Sequence, residues 1–169
     1  MMPSANAPAL PSLFTERQDF WRPWWWLTLA IPLAISLLFF FMVDRMPAPT
    51  GLKWLVLIVP SILTMGVFAL LRLETHIDKE GISYRFYPLN WRRLAWAEVK
   101  SAQVRKYSPL REYGGWGIRG LSTSNYAYNV AGSYGLQLKL HNGDRVLLGT
   151  QQPEALRQLI AQLRPEQVH

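Results

Sequence analysis

The chain has 169 residues, no cysteine, 50% hydrophobic and 17% charged residues, and a formal net charge of +7. That length accommodates one modest domain plus a second element, and it excludes a large multidomain enzyme. The lack of cysteine removes disulfides, thiolate metal sites and thiol catalysis together.

Residues 1–11 are rich in Pro, Ala and Ser and read as a disordered tail. In residues 12–23 the side chains Leu13, Phe14, Phe20 and Trp21, with Trp24 beyond, recur about seven apart, as on one face of a short helix lying at lipid headgroups. An irregular lead-in fits the same residues. Two apolar runs follow, WWWLTLAIPLAISLLFFFMV at 24–43 and WLVLIVPSILTMGVFALL at 54–71, neither holding a charged side chain. At a helical rise of ~1.5 Å per residue the first matches a hydrocarbon core of roughly 30 Å, and Leu52 with Lys53 lengthens the second. The expectation is a transmembrane helical hairpin over residues 24–72, with spans at 24–43 and 52–71. DRMPAPTG at 44–51 makes the turn between them.

Five basic residues near one side (Arg17, Arg22, Arg72, Lys79, Arg85) against two at the connection (Arg45, Lys53) predict cytoplasmic N- and C-termini and a multi-pass protein of the cell inner membrane. Trp21, Trp24, Trp25, Trp26 and Trp54 are then interfacial anchors. Pro32 and Pro60 predict kinks. Neither run contains an ionisable residue, which argues against a proton relay or ion pathway.

Residues 73–169 read as a mainly β domain. Ile82, Tyr84 and Phe86 alternate with polar neighbours after the turn DKEG at 78–81, which joins this strand to one at 73–77. Weaker strand patterns occur at 92–96, 99–107, 117–121 and 126–130. Leu136, Leu138 and Leu140 alternate up to Asn142-Gly143, and Val146 with Leu148 continues beyond, which predicts a tight hairpin. A helix is expected at 152–164: Pro153 suits the first turn, Glu154 complements the positive helix end, and Leu156, Leu159, Ile160 and Leu163 form one apolar stripe. The expected architecture is about seven antiparallel strands forming a barrel or roll, capped by the C-terminal helix.

Four stretches carry a resemblance: THIDKEGISY at 75–84, RLAWAEV at 93–99, EYGGWGIR at 112–119 and GTQQPEAL at 149–156. With the order of two apolar helices and a small β domain, the chain resembles the bacterial pleckstrin-homology-like membrane proteins over residues 73–164, the helical pair matching in layout alone. The resemblance implies a seven-strand barrel or roll with a capping helix, and a role in binding or assembly at the inner face of the membrane. It implies no catalytic residues and no particular ligand.

Elsewhere the signals for chemistry are sparse. Residues 115–120 fit G-x-G-x-x-G, yet no helical pattern follows and no βαβ unit surrounds them, so bends at Gly114, Gly115 and Gly117 explain them better than a cofactor. His76, His141 and His169 lack metal-ligand spacing, and no serine lies in a strand-to-helix elbow. Glu98 reads as the partner of an arginine, and Glu112 as an anchor for the glycine loop. No catalytic residue, cofactor or metal is expected, and no recognition motif supports nucleic-acid binding.

Residues 73–169 hold 13 Lys or Arg against 8 Asp or Glu. Arg92, Arg93, Arg105, Lys106 and Arg111 supply much of this excess, which suits an anionic leaflet and equally serves as a topology signal. Tyr113, Trp116, Tyr126 and Tyr128, with Arg119, are candidate partner or lipid contacts, because Tyr and Trp give large contact area at small entropy cost. The expected function is a membrane-anchored, non-enzymatic interaction module that binds membrane lipids and a partner protein or a second copy of itself. The alternative is a small-ligand carrier or enzyme using the barrel interior.

Overall fold

The computed structural model describes residues 12–44, 49–122 and 124–163, and it divides into two units: a helical unit of residues 19–71, and a β unit formed by residues up to 18 together with those from 72 onward. The expected tail at 1–11, residues 45–48 of the connection and the side chains of Trp21, Trp24 and Trp25 lie outside the described residues.

The helical unit is a pair, α1 (Trp21–Asp44) and α2 (Thr50–Leu70), with Pro32 and Pro60 inside the helices. Phe20 meets Phe68 at 5.8 Å and Phe40 meets Trp54 at 6.1 Å, so the helices run antiparallel. Ser36 is fully buried and shares a 3.0 Å hydrogen bond with Ser61. The Thr64 hydroxyl donates to the Pro60 carbonyl at 2.8 Å. Ile31, Leu38, Phe41, Ile62 and Leu63 face outward.

Crossing a bilayer takes about 20 consecutive apolar residues in one helix. Among the described residues no helix is long and apolar enough to cross a membrane. This corrects three expectations together: the transmembrane hairpin, the membrane-anchored character, and the multi-pass inner-membrane location with cytoplasmic termini.

The β unit also differs from the expected single roll of about seven antiparallel strands. Among the described residues nine strands form two sheets. The first sheet holds β1 (Phe14–Asp19), β2 (Arg72–Ile77), β3 (Gly81–Tyr87) and β4 (Arg92–Ala95), in that spatial order. The second holds β5 (Val99–Lys106), β6 (Gly117–Ser122), β7 (Asn125–Asn129), β8 (Tyr134–Leu140) and β9 (Arg145–Thr150), in the order β5-β8-β9-β7-β6. Because the tight hairpin places β9 between β8 and β7, β7 and β9 pair in parallel, an arrangement the antiparallel expectation did not contain. That hairpin turns through Asn142-Gly143, with Gly143 at φ 92°. Among the described residues two α-helices complete the unit: α3 (Pro109–Tyr113), which sequence reading missed, and α4 (Pro153–Leu163), whose Leu156 and Ile160 are buried.

The strand β1 falls where a headgroup helix or irregular lead-in was expected. It pairs with β2: Leu13 N–H donates to the Ile77 carbonyl at 2.8 Å, and just past the strand Phe20 N–H donates to that of Leu71 at 3.0 Å. Its inward side chains are polar. Glu16 is only 5% exposed and accepts from the Thr150 hydroxyl at 2.6 Å, the Gln151 N–H at 2.7 Å and Gln18 Nε2 at 3.1 Å. Gln18 Nε2 also donates to the Gly149 carbonyl at 2.7 Å. These bonds tie the edge of the first sheet to the end of β9, just before α4.

The turn between β2 and β3 is built on Asp78, whose buried carboxylate accepts from Glu80 N–H and Gly81 N–H at 2.8 Å each, an Asx-type turn. A side chain at Gly81 would place its Cβ 2.3 Å from the Leu94 carbonyl oxygen, so only glycine lets β3 and β4 approach this closely. Apolar packing is continuous on both sheets, with Leu73, Ile77 and Ile82 on the first and Leu136, Leu138 and Leu148 on the second all at most 1% exposed. On the second sheet's other face Tyr107, Tyr113, Ala127 and Leu147 form a buried cluster.

Two predictions follow from this arrangement. Glu16→Ala leaves the Thr150 hydroxyl and the Gln151 amide without their acceptor and is expected to cost about 2–3 kcal/mol in urea unfolding, with Glu16→Gln milder. Joining Asp19 to Arg72 by a two-residue turn in place of residues 20–71 is expected to yield a folded β unit with dispersed amide resonances, whereas a chain beginning at Arg72 unfolds at clearly lower urea.

Candidate functional site

The strand period of two sorts the basic residues. Arg92 and Arg93 are neighbours on β4, so their side chains leave opposite faces. Arg93 lies across from Ser83 and reaches Glu80 at 3.0 Å and Asp78 at 3.2 Å, bracing the β2–β3 turn. Arg105 on β5 bonds Glu112 at 2.7 Å and Gln137 Oε1 at 3.0 Å. Glu112 also accepts the Ser108 N–H at 2.8 Å, so it closes the turn of α3 rather than anchoring the glycines that follow. Glu98 accepts the Ala95 N–H at 3.0 Å. Lys106 and Arg111 are exposed, at the end of β5 and on α3.

The aromatic candidates also separate. Tyr113 is buried, and its hydroxyl donates to Gln137 Oε1 at 3.3 Å; burial pushes its pKa up. Trp116 is half-buried, and its carbonyl accepts from Arg119 Nε at 3.0 Å. Gly114 ends α3 in the left-handed conformation just before it.

Three of the ten sequence candidates come together with one residue that sequence reading left out. Tyr84 on β3 and Tyr128 on β7 meet edge to face at 5.0 Å, joining the two sheets through their rings. The Arg92 guanidinium lies 6.0 Å from the Tyr128 ring centre and acts electrostatically on the Tyr84 phenol. Tyr126 is close enough to act electrostatically on both phenols. Burial, the largest cause, drives the pKa values of Tyr84 and Tyr128 upward, so both phenols stay protonated. Among the described residues Arg92 is paired with phenols and with no carboxylate.

The cluster continues onto β6. Ile118 pairs directly with Tyr128 and therefore shares its face, and Ile118 is 44% exposed. Chemically this is a planar guanidinium with phenolic groups beside an exposed aliphatic side chain. A guanidinium fork of this kind matches a carboxylate or phosphate, and the rings and Ile118 supply apolar contact.

A second polar constellation lies on the outer face of the first sheet, and sequence reading missed it as well. Glu74 binds both Arg72 at 2.7 Å and Arg85 at 2.5 Å, Arg72 stacks on Tyr87, and Arg85 stacks on Trp91. His76 packs on Trp91 at 5.0 Å and shares a 3.1 Å hydrogen bond with the Thr15 hydroxyl; burial lowers its pKa. The alternation Arg72, Glu74, His76 on β2 opposite Arg85 and Tyr87 on β3 was the available signal. Both arginines here share Glu74, whereas Arg92 has no carboxylate beside it among the described residues.

No family model, curated protein or solved structure matches the chain.

The Arg105–Glu112 pair has a pH signature. Its hydrogen bond from Arg105, the largest cause, holds the Glu112 carboxyl below its ordinary value of 4.5. A carboxyl with a depressed folded pKa binds fewer protons folded than unfolded, so its stabilisation is present above pH 4.5 and disappears as the pH falls through the folded value. Glu112→Gln is expected to flatten the fall in thermal midpoint over that acid range and to leave its slope near neutrality unchanged.

Proposed function

We propose that this chain is a non-enzymatic interaction module whose β unit contacts a partner protein through Arg92, Tyr84, Tyr126 and Tyr128, with Ile118 at the rim. The observation that carries this reading is the arginine set against phenols instead of a carboxylate. Arg, Tyr and Trp dominate the residues that carry binding energy at protein interfaces, because they combine large area, few rotatable bonds and directional donors. An arginine already neutralised, as Arg93 and Arg105 are, has little left to offer a partner. No carboxylate among the described residues neutralises Arg92.

The resemblance to bacterial pleckstrin-homology-like proteins agrees with a binding role of this kind. Of the stretches that carry it, THIDKEGISY spans the β2–β3 turn and RLAWAEV starts in β4 and ends on the first residue of β5, so both include part of the sheet that contributes Tyr84 and Arg92. Partner chemistry follows from the site: an acidic group for the guanidinium, flanked by apolar surface.

A photo-crosslinking amino acid at position 126 of the full chain, expressed in its host cell, tests this. Discrete protein adducts are expected, and Arg92→Glu should reduce them about tenfold or more, as loss of a charge-paired contact does. Adducts of equal yield in Arg92→Glu, or crosslinks to lipid alone, would overturn the reading.

A further inference from the structure

Among the described residues β6 is an edge strand of the second sheet, bonded to β7 on one side only. Such an edge presents backbone N–H and C=O groups in a row, ready to pair with another extended chain. Natural edges are usually blunted, and β6 is blunted at one end, where the register shifts between Gly120 and Ser122. Gly117 to Gly120 keep regular register with β7, and Ile118, Arg119 and Gly120 are all exposed. A Cβ at Gly117 would meet nothing within 4 Å, so the sheet face there is open.

Charge decides what would approach. On the Ile118 face stands Arg92; on the opposite face stands Arg119, whose hydrogen bond goes to a backbone carbonyl and, among the described residues, to no carboxylate. Both faces of this edge are therefore cationic around one exposed aliphatic side chain. A second copy of β6 paired antiparallel about Arg119 would set two arginines directly opposite, which is destabilising. A segment with carboxylates on both faces meets no such repulsion.

We infer that the partner adds an acidic, extended segment as a strand along residues 117–120 of β6, seating an aliphatic side chain on Ile118 and carboxylates on Arg92 and Arg119. This mode rests on the contact site proposed above and specifies its ligand: backbone pairing supplies the affinity, and the alternate side chains supply the selection. The segment is short, because the register shift ends the usable edge at Gly120.

Panning a random dodecapeptide library on the full chain tests the inference. The expected winners carry Asp or Glu on both sides of an aliphatic residue, and a bound winner slows amide hydrogen exchange at residues 117–120. Arg92→Glu, Arg119→Glu and Ile118→Asp should each weaken it about tenfold or more, equivalent to roughly 1.4 kcal/mol. Enrichment of basic or proline-rich peptides, or binding without amide protection on β6, would overturn strand addition. If binding falls in Arg92→Glu and Tyr126→Ala but not in Ile118→Asp, strand addition fails and the contact site stands. If it depends on neither Arg92 nor Tyr126, both readings fail together.

Discussion

A single buried carboxylate joins the start of the β unit to its end. Glu16 takes hydrogen bonds from Thr150, Gln151 and Gln18, and without it β1 would hold to the sheet by its pairing with β2 and the single bond from Gln18 to Gly149. A carboxylate this buried is tolerable because its lone pairs are satisfied. The bond also locates α4: Thr150 donates to Glu16 while its hydroxyl oxygen accepts the Gln152 N–H, just ahead of the helix. With β1 held, β2 is an interior strand, and β3 and β4 take their places beside it. Tyr84 then meets Tyr128 and Arg92 has its setting, so the proposed contact site depends on a bond made by a residue far from it in sequence.

What could be read from the sequence follows from how each element buries its side chains. The hairpin β8–β9 alternates apolar and polar residues around Asn-Gly, and α4 carries its stripe at helical spacing; both lie within about two residues of where periodicity puts them. β1 defeats the same reasoning because it is inverted. Its inward residues are Glu16 and Gln18, so apolar periodicity reports the wrong structure. Only the partners across the sheet, more than a hundred residues away, make those positions interior. The apolar runs located α1 and α2 to within a few residues. Crossing a membrane is a further demand on uninterrupted apolar length, and the described residues do not supply it.

The candidate site was legible in part for a related reason. Charge counting treats Arg92, Arg93 and Arg105 as equivalent members of one excess, yet what each does is set by which carboxylate lies across the sheet. Asp78 and Glu80 take Arg93, Glu112 takes Arg105, and Arg92 is turned by the strand's alternation toward tyrosines. Tyr126 and Tyr128 were singled out as aromatic candidates, but Tyr84 was counted only as part of an alternating strand. Its role comes from the meeting of two sheets, which no local pattern encodes.

The helical pair occupies the position of a loop between β1 and β2, and this has a consequence for how the chain assembles. Closing a flexible loop of that length costs about 3–4 kcal/mol of entropy. An antiparallel helical pair that forms first brings its two ends together, so much of that ordering is complete before β1 and β2 meet. The Glu16 bond comes far later, since Thr150 lies 134 residues downstream. At synthesis rates of about 5–20 residues per second, a delay on the order of ten seconds separates the two events. During that interval Glu16 and Gln18 remain solvated and β1 is held only by its neighbour, so β1, made before the strands it joins, is secured after them.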